Sequence, residues 1–153
     1  MKPSKAGRPA KVSQILLVDD NQNGLLARKS VLQEHGYVVH ACAGPEEALA
    51  EFNTHNYDLV VTDYRMPMMT GAELIHEIRT THPALPIVLI SGVVDVLGLN
   101  EQSTGADVVI PKNATEINHL LRAVKRLLET SAPRKPVRSQ TTRSTKKVTA
   151  KGT

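Results

Sequence analysis

Five short apolar runs alternate along the chain with longer stretches of helical patterning. The runs are QILLVDD (14–20), YVVHACA (37–43), YDLVVTD (57–63), LPIVLIS (85–91) and ADVVIPK (106–112). Four of the five are continuous rather than alternating, which is typical of strands buried on both faces of a parallel sheet. The repeated alternation of strand and helix predicts an α/β fold with a doubly wound five-stranded parallel sheet and helices on both faces.

The stretches between these runs contain helix signals. In the last stretch, apolar residues recur at positions 117, 120, 121, 124, 127 and 128 and form one stripe. A shorter stripe over 74–78 follows a capping box of Thr70 and Glu73, and Pro45 suits a first helical turn. The fourth helix, expected within 95–104, has the weakest pattern because two glycines and an asparagine lie in or beside it.

Composition narrows the class of protein. The 153 residues are 41% hydrophobic, which suits one domain with a core. Only 3% are aromatic, which argues against a surface on which the bases of single-stranded nucleic acid stack. The single cysteine, Cys42, excludes an intrachain disulfide. Because the first residues lack an apolar block and the stretch 85–99 is short and polar, we expect a cytoplasmic protein without membrane insertion.

The net charge of +4 hides a separation of charge along the chain. Residues 1–13 hold four Lys or Arg and residues 131–153 hold seven, and neither segment contains an acid. This leaves 8 basic and 15 acidic residues in 14–130, a formal charge of −7. We therefore expect one folded domain over 14–130 between two basic disordered tails, 1–13 and 131–153.

Polar side chains follow four of the predicted strands. They are Asp19 and Asp20 after the first strand, Asp63 after the third, Ser91 after the fourth and Lys112 after the fifth. Because the carboxyl ends of parallel strands point to one edge, these five side chains should converge where ligands bind in such folds. Three crowded carboxylates require a cation, and Mg²⁺ prefers oxygen ligands. A serine hydroxyl and a lysine ammonium can both contact the oxygens of an anion. Together with the three acids, they predict a phosphoryl-transfer site with Asp63 as the nucleophile.

Each of these residues also has an ordinary explanation when it is taken alone. An Asp-Asp pair after a strand is usually a turn or a helix N-cap. Ser91 with Gly92 fits a turn, and a single lysine is most often a solvated charge. Only their joint occurrence at the ends of successive strands favours the functional interpretation.

In this order and spacing, the segments ILLVDDN, YDLVVTDYRMPMMTG, PIVLISG and VVIPK resemble the receiver domain of bacterial two-component response regulators. The resemblance covers 14 to about 130 and implies a flavodoxin-like sheet with strand order 2-1-3-4-5. It implies that Asp63 accepts a phosphoryl group from a sensor histidine kinase or phosphotransfer protein. The implied Mg²⁺ ligands are Asp20, Asp63 and the backbone carbonyl of Arg65, with Asp19 acting mainly through bound water, Ser91 as the switch hydroxyl and Lys112 as the salt-bridge partner of the phosphate.

Two positions depart from the family pattern. Val109 stands where the family usually has an aromatic residue, and Asn113 stands where a proline commonly follows the lysine. Asn113 is expected to cap the last helix in a box with Glu116. The departures predict a switch that works through Ser91 and the loop 92–105 without a rotating ring.

Several functions remain open. The first is a stand-alone receiver, phosphorylated on Asp63, that signals to a downstream effector protein, either as a monomer or as a homodimer. The second is nucleic-acid binding by the tail 131–153, although such tails are more often solvated tethers. An enzyme acting on outside substrates is not expected, because Arg65 stands where an aspartyl phosphatase needs a general acid. A receiver that is never phosphorylated is disfavoured by the complete set of acids, serine and lysine.

Overall fold

The computed structural model describes residues 11–131, so nearly all of the two predicted tails lies outside the described residues. The strands are β1 (Gln14–Val18), β2 (Val38–Cys42), β3 (Leu59–Asp63), β4 (Ile87–Ser91) and β5 (Val108–Pro111). The helices are α1 (Gln22–Glu34), α2 (Pro45–Thr54), α3 (Gly71–Thr81), α4 (Val94–Leu97), α5 (Glu101–Thr104) and α6 (Glu116–Ser131).

The five strands are all parallel and lie in the order β2-β1-β3-β4-β5. This confirms the doubly wound α/β class and the strand order that the family resemblance implied. Val18 pairs with Thr62, and Asp63 pairs with Ile90, so β1, β3 and β4 end close together at one edge of the sheet. The strand order reverses between β1 and β3, which is where ligands bind in folds of this kind.

Both faces of the sheet are covered by apolar side chains. Ile15 and Leu17 belong to a buried cluster that includes residues of α1 and α6. Leu16 and Val18 belong to a second cluster that includes residues of α2 and α3. Because successive residues of a strand point to opposite faces, a strand that is buried on both sides must be apolar throughout. This explains the continuous runs in the sequence.

The strongest helix signals are confirmed. The Thr70 hydroxyl accepts a hydrogen bond from the N–H of Glu73, and the Glu73 carboxylate accepts one from the N–H of Thr70, which completes the capping box. Pro45 is the first residue of α2. In α6, Leu120 and Val124 are fully buried, as the apolar stripe predicted.

The fourth helix differs from the prediction. Instead of one helix within 95–104, the connection from β4 to β5 contains the two four-residue helices α4 and α5. Gly98 ends α4 in the left-handed region at φ 62°, and the Asn100 side chain caps α5 by accepting from the N–H of Ser103. The residues that weakened the sequence pattern are therefore the ones that divide the helix.

The box predicted for Asn113 and Glu116 is correct only in part. The Asn113 side chain accepts a hydrogen bond at 2.9 Å from the N–H of Thr115, just before α6. The Glu116 carboxylate, which should have completed the box, is an ion-pair partner of Arg28.

Among the residues described, no helix combines the length and the apolar character that a membrane crossing requires.

Candidate functional site

Three carboxylates meet at the carboxyl edge of the sheet. Asp19 and Asp20 directly follow β1, and Asp63 is the last residue of the neighbouring strand β3. One carboxylate oxygen from each lies within 4.8 Å of the others. Asp19 and Asp63 are buried, whereas Asp20 is exposed. The cluster therefore combines two buried acids with one acid, Asp20, that faces solvent.

Lys112 and Ser91 complete this edge on the other side of Asp63. The Lys112 ammonium lies 2.9 Å from a carboxylate oxygen of Asp63. Ser91 is buried at the end of β4, where its hydroxyl accepts a hydrogen bond at 3.0 Å from the N–H of Val93. The N–H of Lys112 donates to the Ser91 carbonyl, which ties the two residues together. The structure thus places all five predicted side chains at one edge of the sheet.

Arg65, whose backbone carbonyl was the fourth expected metal ligand, lies two residues after Asp63 in the loop between β3 and α3. Its side chain is exposed. The same loop contains Met68, which has a left-handed backbone at φ 77° and a side chain that is 83% exposed.

Opposing effects act on the charge of Asp63. Burial raises the pKa of the Asp63 carboxyl above its ordinary value and is the largest cause of the shift. The hydrogen bond and charge of Lys112 lower that pKa, while the neighbouring Asp19 carboxylate raises it. The net shift is upward, so ionisation of Asp63 in the folded domain costs free energy. A cation bound nearby would stabilise the ionised carboxylate.

The backbone around Asp63 is fixed by short contacts. Tyr64 donates its N–H to the Ile90 carbonyl at 3.0 Å, and the N–H of Gly71 donates to the Tyr64 carbonyl at 2.7 Å. The buried Thr62 hydroxyl donates to the Asp63 carbonyl at 2.9 Å. The first residue of α3 is glycine because a Cβ on Gly71 would lie only 2.2 Å from that same carbonyl oxygen. Helix α3 therefore begins directly against the end of β3.

Two charged residues at the site were missed in the sequence. Arg28 of α1 is buried, and it forms ion pairs with Asp19 and with Glu116 of α6. Burial lowers the pKa of Arg28, but the two carboxylates more than offset this, so that its pKa is raised overall. The available signal was the spacing: an arginine stands between Leu25 and Leu32 on the buried face of α1.

A groove of about 270 Å³ opens beside the exposed acid. Its lining comes from the loops after β1, β2 and β3 and includes Asp20, Gly44, Pro67 and Met68. Larger grooves of about 700 and 330 Å³ lie along α6 and contain none of the three acids. Of these three grooves, the smallest is the one that borders the carboxylate cluster, through Asp20.

The donor set fits a small, hard divalent cation. The three candidate ligands are all carboxylates, which suit Mg²⁺, and the acid that faces solvent leaves room for waters or phosphate oxygens. Zinc prefers sulfur and imidazole ligands, and neither occurs in this cluster of acids. Mg²⁺ is therefore the cation that Asp19, Asp20 and Asp63 fit best.

A doubly wound parallel sheet that collects three acids, a serine and a lysine at its carboxyl edge has the architecture of a signalling receiver. The model of the response regulator receiver domain family matches residues 15–125. The chain belongs to this family of two-component systems.

Curated relatives agree with this assignment. The chain is 32% identical over 119 residues to the probable transcriptional regulator ycf27 of Cyanidium caldarium, which is 76% of this chain and 47% of that protein. It is 34% identical over 118 residues to the sensor kinase CckA of Brucella abortus, covering 75% of this chain and 12% of that protein. The chain thus spans about half the length of the first relative and much less of the second.

Solved structures share the fold at full domain length. The response regulator TrrA of Thermotoga maritima, in complex with Mg²⁺ and BeF, has a TM-score of 0.68 and 34% identity, covering 76% of this chain and 99% of that one. The chemotaxis response regulator CheY4 of Vibrio cholerae has a TM-score of 0.70 and 27% identity, covering 76% and 99%.

Proposed function

We propose that Asp63 accepts a phosphoryl group from a phosphohistidine of a sensor kinase or phosphotransfer protein, and that a downstream effector protein reads the resulting change. The observation that carries this proposal is the environment of one carboxylate. Asp63 is buried, lies 2.9 Å from the Lys112 ammonium and shares its edge of the sheet with Asp19 and Asp20. That environment suits a nucleophile whose product carries additional negative charge.

In the transfer, one carboxylate oxygen of Asp63 forms a bond to phosphorus while the phosphorus–nitrogen bond to histidine breaks. The electron pair of the broken bond stays on the ring nitrogen that held the phosphoryl group, and the other ring nitrogen carries a proton, so the imidazole leaves as the neutral ring. Lys112 already contacts Asp63 and neutralises part of the charge that the phosphate brings. Ser91, at the end of the next strand, supplies a hydroxyl to a phosphate oxygen.

The metal-binding roles follow from exposure and from existing hydrogen bonds. Asp20 and Asp63 would bind Mg²⁺ together with the Arg65 carbonyl. Asp19 would act through water, since one of its oxygens accepts from the N–H of Asn21 at 2.9 Å and the other from Arg28. When bound, the ion supplies charge neutralisation for the phosphoryl oxygens.

We propose that the signal leaves through Ser91 and the loop 92–105. The Ser91 hydroxyl now accepts from the N–H of Val93, so a hydroxyl that turned to a phosphate would release the first residues of this loop. Val109 stands at the position of the usual aromatic residue, and its N–H donates to the Glu101 carboxylate at 3.1 Å. Movement of the loop would therefore be transmitted to β5 through Glu101.

The proposed reaction is limited to the protein's own phosphorylation and dephosphorylation. Arg65 occupies the position two residues after the nucleophile, where hydrolysis of outside substrates would need a general acid.

The test is incubation of the full chain with a small phosphoryl donor and Mg²⁺, followed by intact mass spectrometry. We expect one phosphate adduct on the wild type, and none after chelation of the metal or in Asp63→Asn. Asp58→Asn is the matched control, because Asp58 lies at the opposite end of β3 and bonds the N–H of Gln14. It should be modified like the wild type. An unmodified wild type, under conditions that modify another receiver, would contradict the proposal.

The separation of charge supports a second function for the tail 131–153. Its seven basic residues adjoin a domain of formal charge −7, and such a segment can neutralise several phosphates of a polyanion. We propose weak DNA binding that falls steeply with salt and is lost in a chain ending at Thr130. A salt titration of DNA binding by both chains tests this, and no binding by the intact chain at low salt would end the hypothesis.

A further inference from the structure

One buried cation contacts the acidic cluster through Asp19 and has no assigned role. The Arg28 side chain is 7% exposed and reaches from α1 between two carboxylates. Its Nη1 donates to Asp19 Oδ2, and its Nε donates to Glu116 Oε2 at 2.6 Å. A guanidinium is always charged in proteins, so Arg28 places a fixed positive charge against Asp19.

The packing of α1 is shaped around this pair. A Cβ on Gly24 would lie 2.9 Å from Asp19 Oδ2 and 3.0 Å from Arg28 Nη1. Glycine at this position therefore leaves the space in which the carboxylate and the guanidinium meet. The contact belongs to the buried structure of the domain, in contrast to the exposed ion pair of Lys125 and Glu129 on α6.

We infer that Arg28 is an internal counter-ion of Asp19 that competes with the divalent cation and weakens its binding. This inference rests on the proposed Mg²⁺ site. Asp19 contributes one carboxylate oxygen to the cluster, and its Oδ2 already has the positively charged Arg28 as a partner. A cation that enters the cluster must approach the fixed charge of Arg28 and take over part of the charge of Asp19.

Glu116 adjusts this competition from the start of α6. Its carboxylate holds the Nε side of the same guanidinium and is itself only 14% exposed. In the folded domain, Arg28 is shared between two acids. Without the Glu116 carboxylate, Arg28 would act on Asp19 alone. The two residues should therefore change cation affinity in opposite directions.

A purely structural role makes a different prediction. The ion pairs of Arg28 join α1 to the end of β1 and to α6, so breaking either should destabilise the domain. Destabilisation alone would lower the unfolding midpoint of Arg28→Gln and of Glu116→Gln without moving Mg²⁺ affinity in opposite directions. Cation affinity is therefore the measurement that separates the two roles.

The experiment is isothermal titration calorimetry of Mg²⁺ alone into the full chain at fixed pH and ionic strength. Removing the positive charge that contacts Asp19 should tighten binding of a divalent ion by about fivefold to tenfold, so Arg28→Gln is expected to bind more tightly by that factor. Glu116→Gln should bind about threefold more weakly. Arg28→Lys keeps the charge, so its affinity should lie closer to that of the wild type than the affinity of Arg28→Gln does.

Lys29→Gln is the control for overall charge, because it removes a lysine from the same helix one residue further on. Its affinity should match that of the wild type. Far-UV circular dichroism establishes whether each variant is folded. If Arg28→Gln does not fold, Glu116→Gln decides the question: weaker Mg²⁺ binding supports the inference, and unchanged binding contradicts it.

Unchanged or weaker binding by a folded Arg28→Gln overturns the inference, as does equal tightening by Lys29→Gln. If the wild type binds Mg²⁺ and the variants match it, the inference fails alone and the proposed metal site stands. If the wild type shows no saturable binding, the metal site itself is contradicted and this inference with it.

Discussion

Replacing Gly71 with alanine tests whether the position of Asp63 depends on the close approach of α3 to β3. An added Cβ would lie 2.2 Å from the Asp63 carbonyl oxygen and 2.7 Å from a methyl carbon of Leu89. An ordinary carbon–oxygen contact is about 3.3 Å, so the backbone must move apart by about 1 Å. The nearest obstacle is backbone and cannot rotate away, which makes this clash costly.

The expected loss of stability follows from three contributions. Forcing an extra methyl group into a packed site costs about 1–3 kcal/mol. Stretching the 2.7 Å hydrogen bond from the Gly71 N–H to the Tyr64 carbonyl adds about 1 kcal/mol. Alanine is preferred to glycine within a helix by about 1 kcal/mol, which offsets part of the loss. Gly71→Ala should therefore lower the free energy of unfolding by about 2 kcal/mol.

Urea unfolding followed by far-UV circular dichroism measures this change, and phosphorylation by a small donor measures its effect on Asp63. We expect the folded variant to be phosphorylated more slowly than the wild type because the carbonyl that must move belongs to Asp63 itself. Gly44→Ala is the matched control. Gly44 is also at the start of a helix, but its Cβ would meet nothing within 4 Å, and its φ of −174° suits any residue.

The control should change the free energy of unfolding by less than about 1 kcal/mol, since only the N-cap preference is affected. A Gly71→Ala protein with wild-type stability and wild-type phosphorylation would refute the reasoning. It would mean that α3 can move away from β3 without disturbing the acid at the end of that strand.

Three further predictions concern single residues. Because burial raises the pKa of Asp63 above 3.8, the stability of the wild type falls as pH rises through the raised value. At pH 7, Asp63→Asn should therefore unfold at a higher urea concentration than the wild type. The difference between the two urea midpoints should shrink as pH approaches 3.8, and a difference independent of pH would contradict this. Met68→Gly should gain about 0.5–1 kcal/mol by relieving a left-handed backbone, whereas Met68→Ala should not, as urea unfolding can measure. Burial raises the pKa of Cys42 to about 12, so a thiol reagent at pH 8 should label Cys42 only after unfolding, and fast labelling of the native protein would count against that environment.

The acids, the serine and the lysine were predictable from the sequence because their convergence follows from topology. Once five strands are parallel, the residues that end them must meet at one edge, whatever the details of packing. Asp63 and Lys112 are far apart in the chain, yet their contact at 2.9 Å follows from the ends of β3 and β5. Continuous apolar runs were enough to establish the strands.

Arg28 and Glu116 were not predictable in the same way. Their contact joins residues 88 positions apart, and it depends on how α1 and α6 pack side by side on one face of the sheet. Helix packing depends on side-chain shape, which a pattern of apolar positions does not specify. Glu116 also matched a capping box three residues after Asn113, so a local pattern predicted the wrong partner for a residue engaged over long range.

The divided fourth helix bears directly on the proposed switch. A helix of several turns is held in place by an apolar stripe, but α4 and α5 have four residues each, and within them only Thr104 is buried. The segment is instead attached to the sheet by polar contacts, from the Ser91 hydroxyl to Val93 and from Glu101 to the N–H of Val109. Polar contacts at a surface contribute about 1 kcal/mol each, so few are needed to hold the loop and few must break to release it. In the proposed switch, which lacks a rotating aromatic ring, exchange of the Ser91 hydrogen bond for one to a phosphate oxygen would release the first residues of this loop.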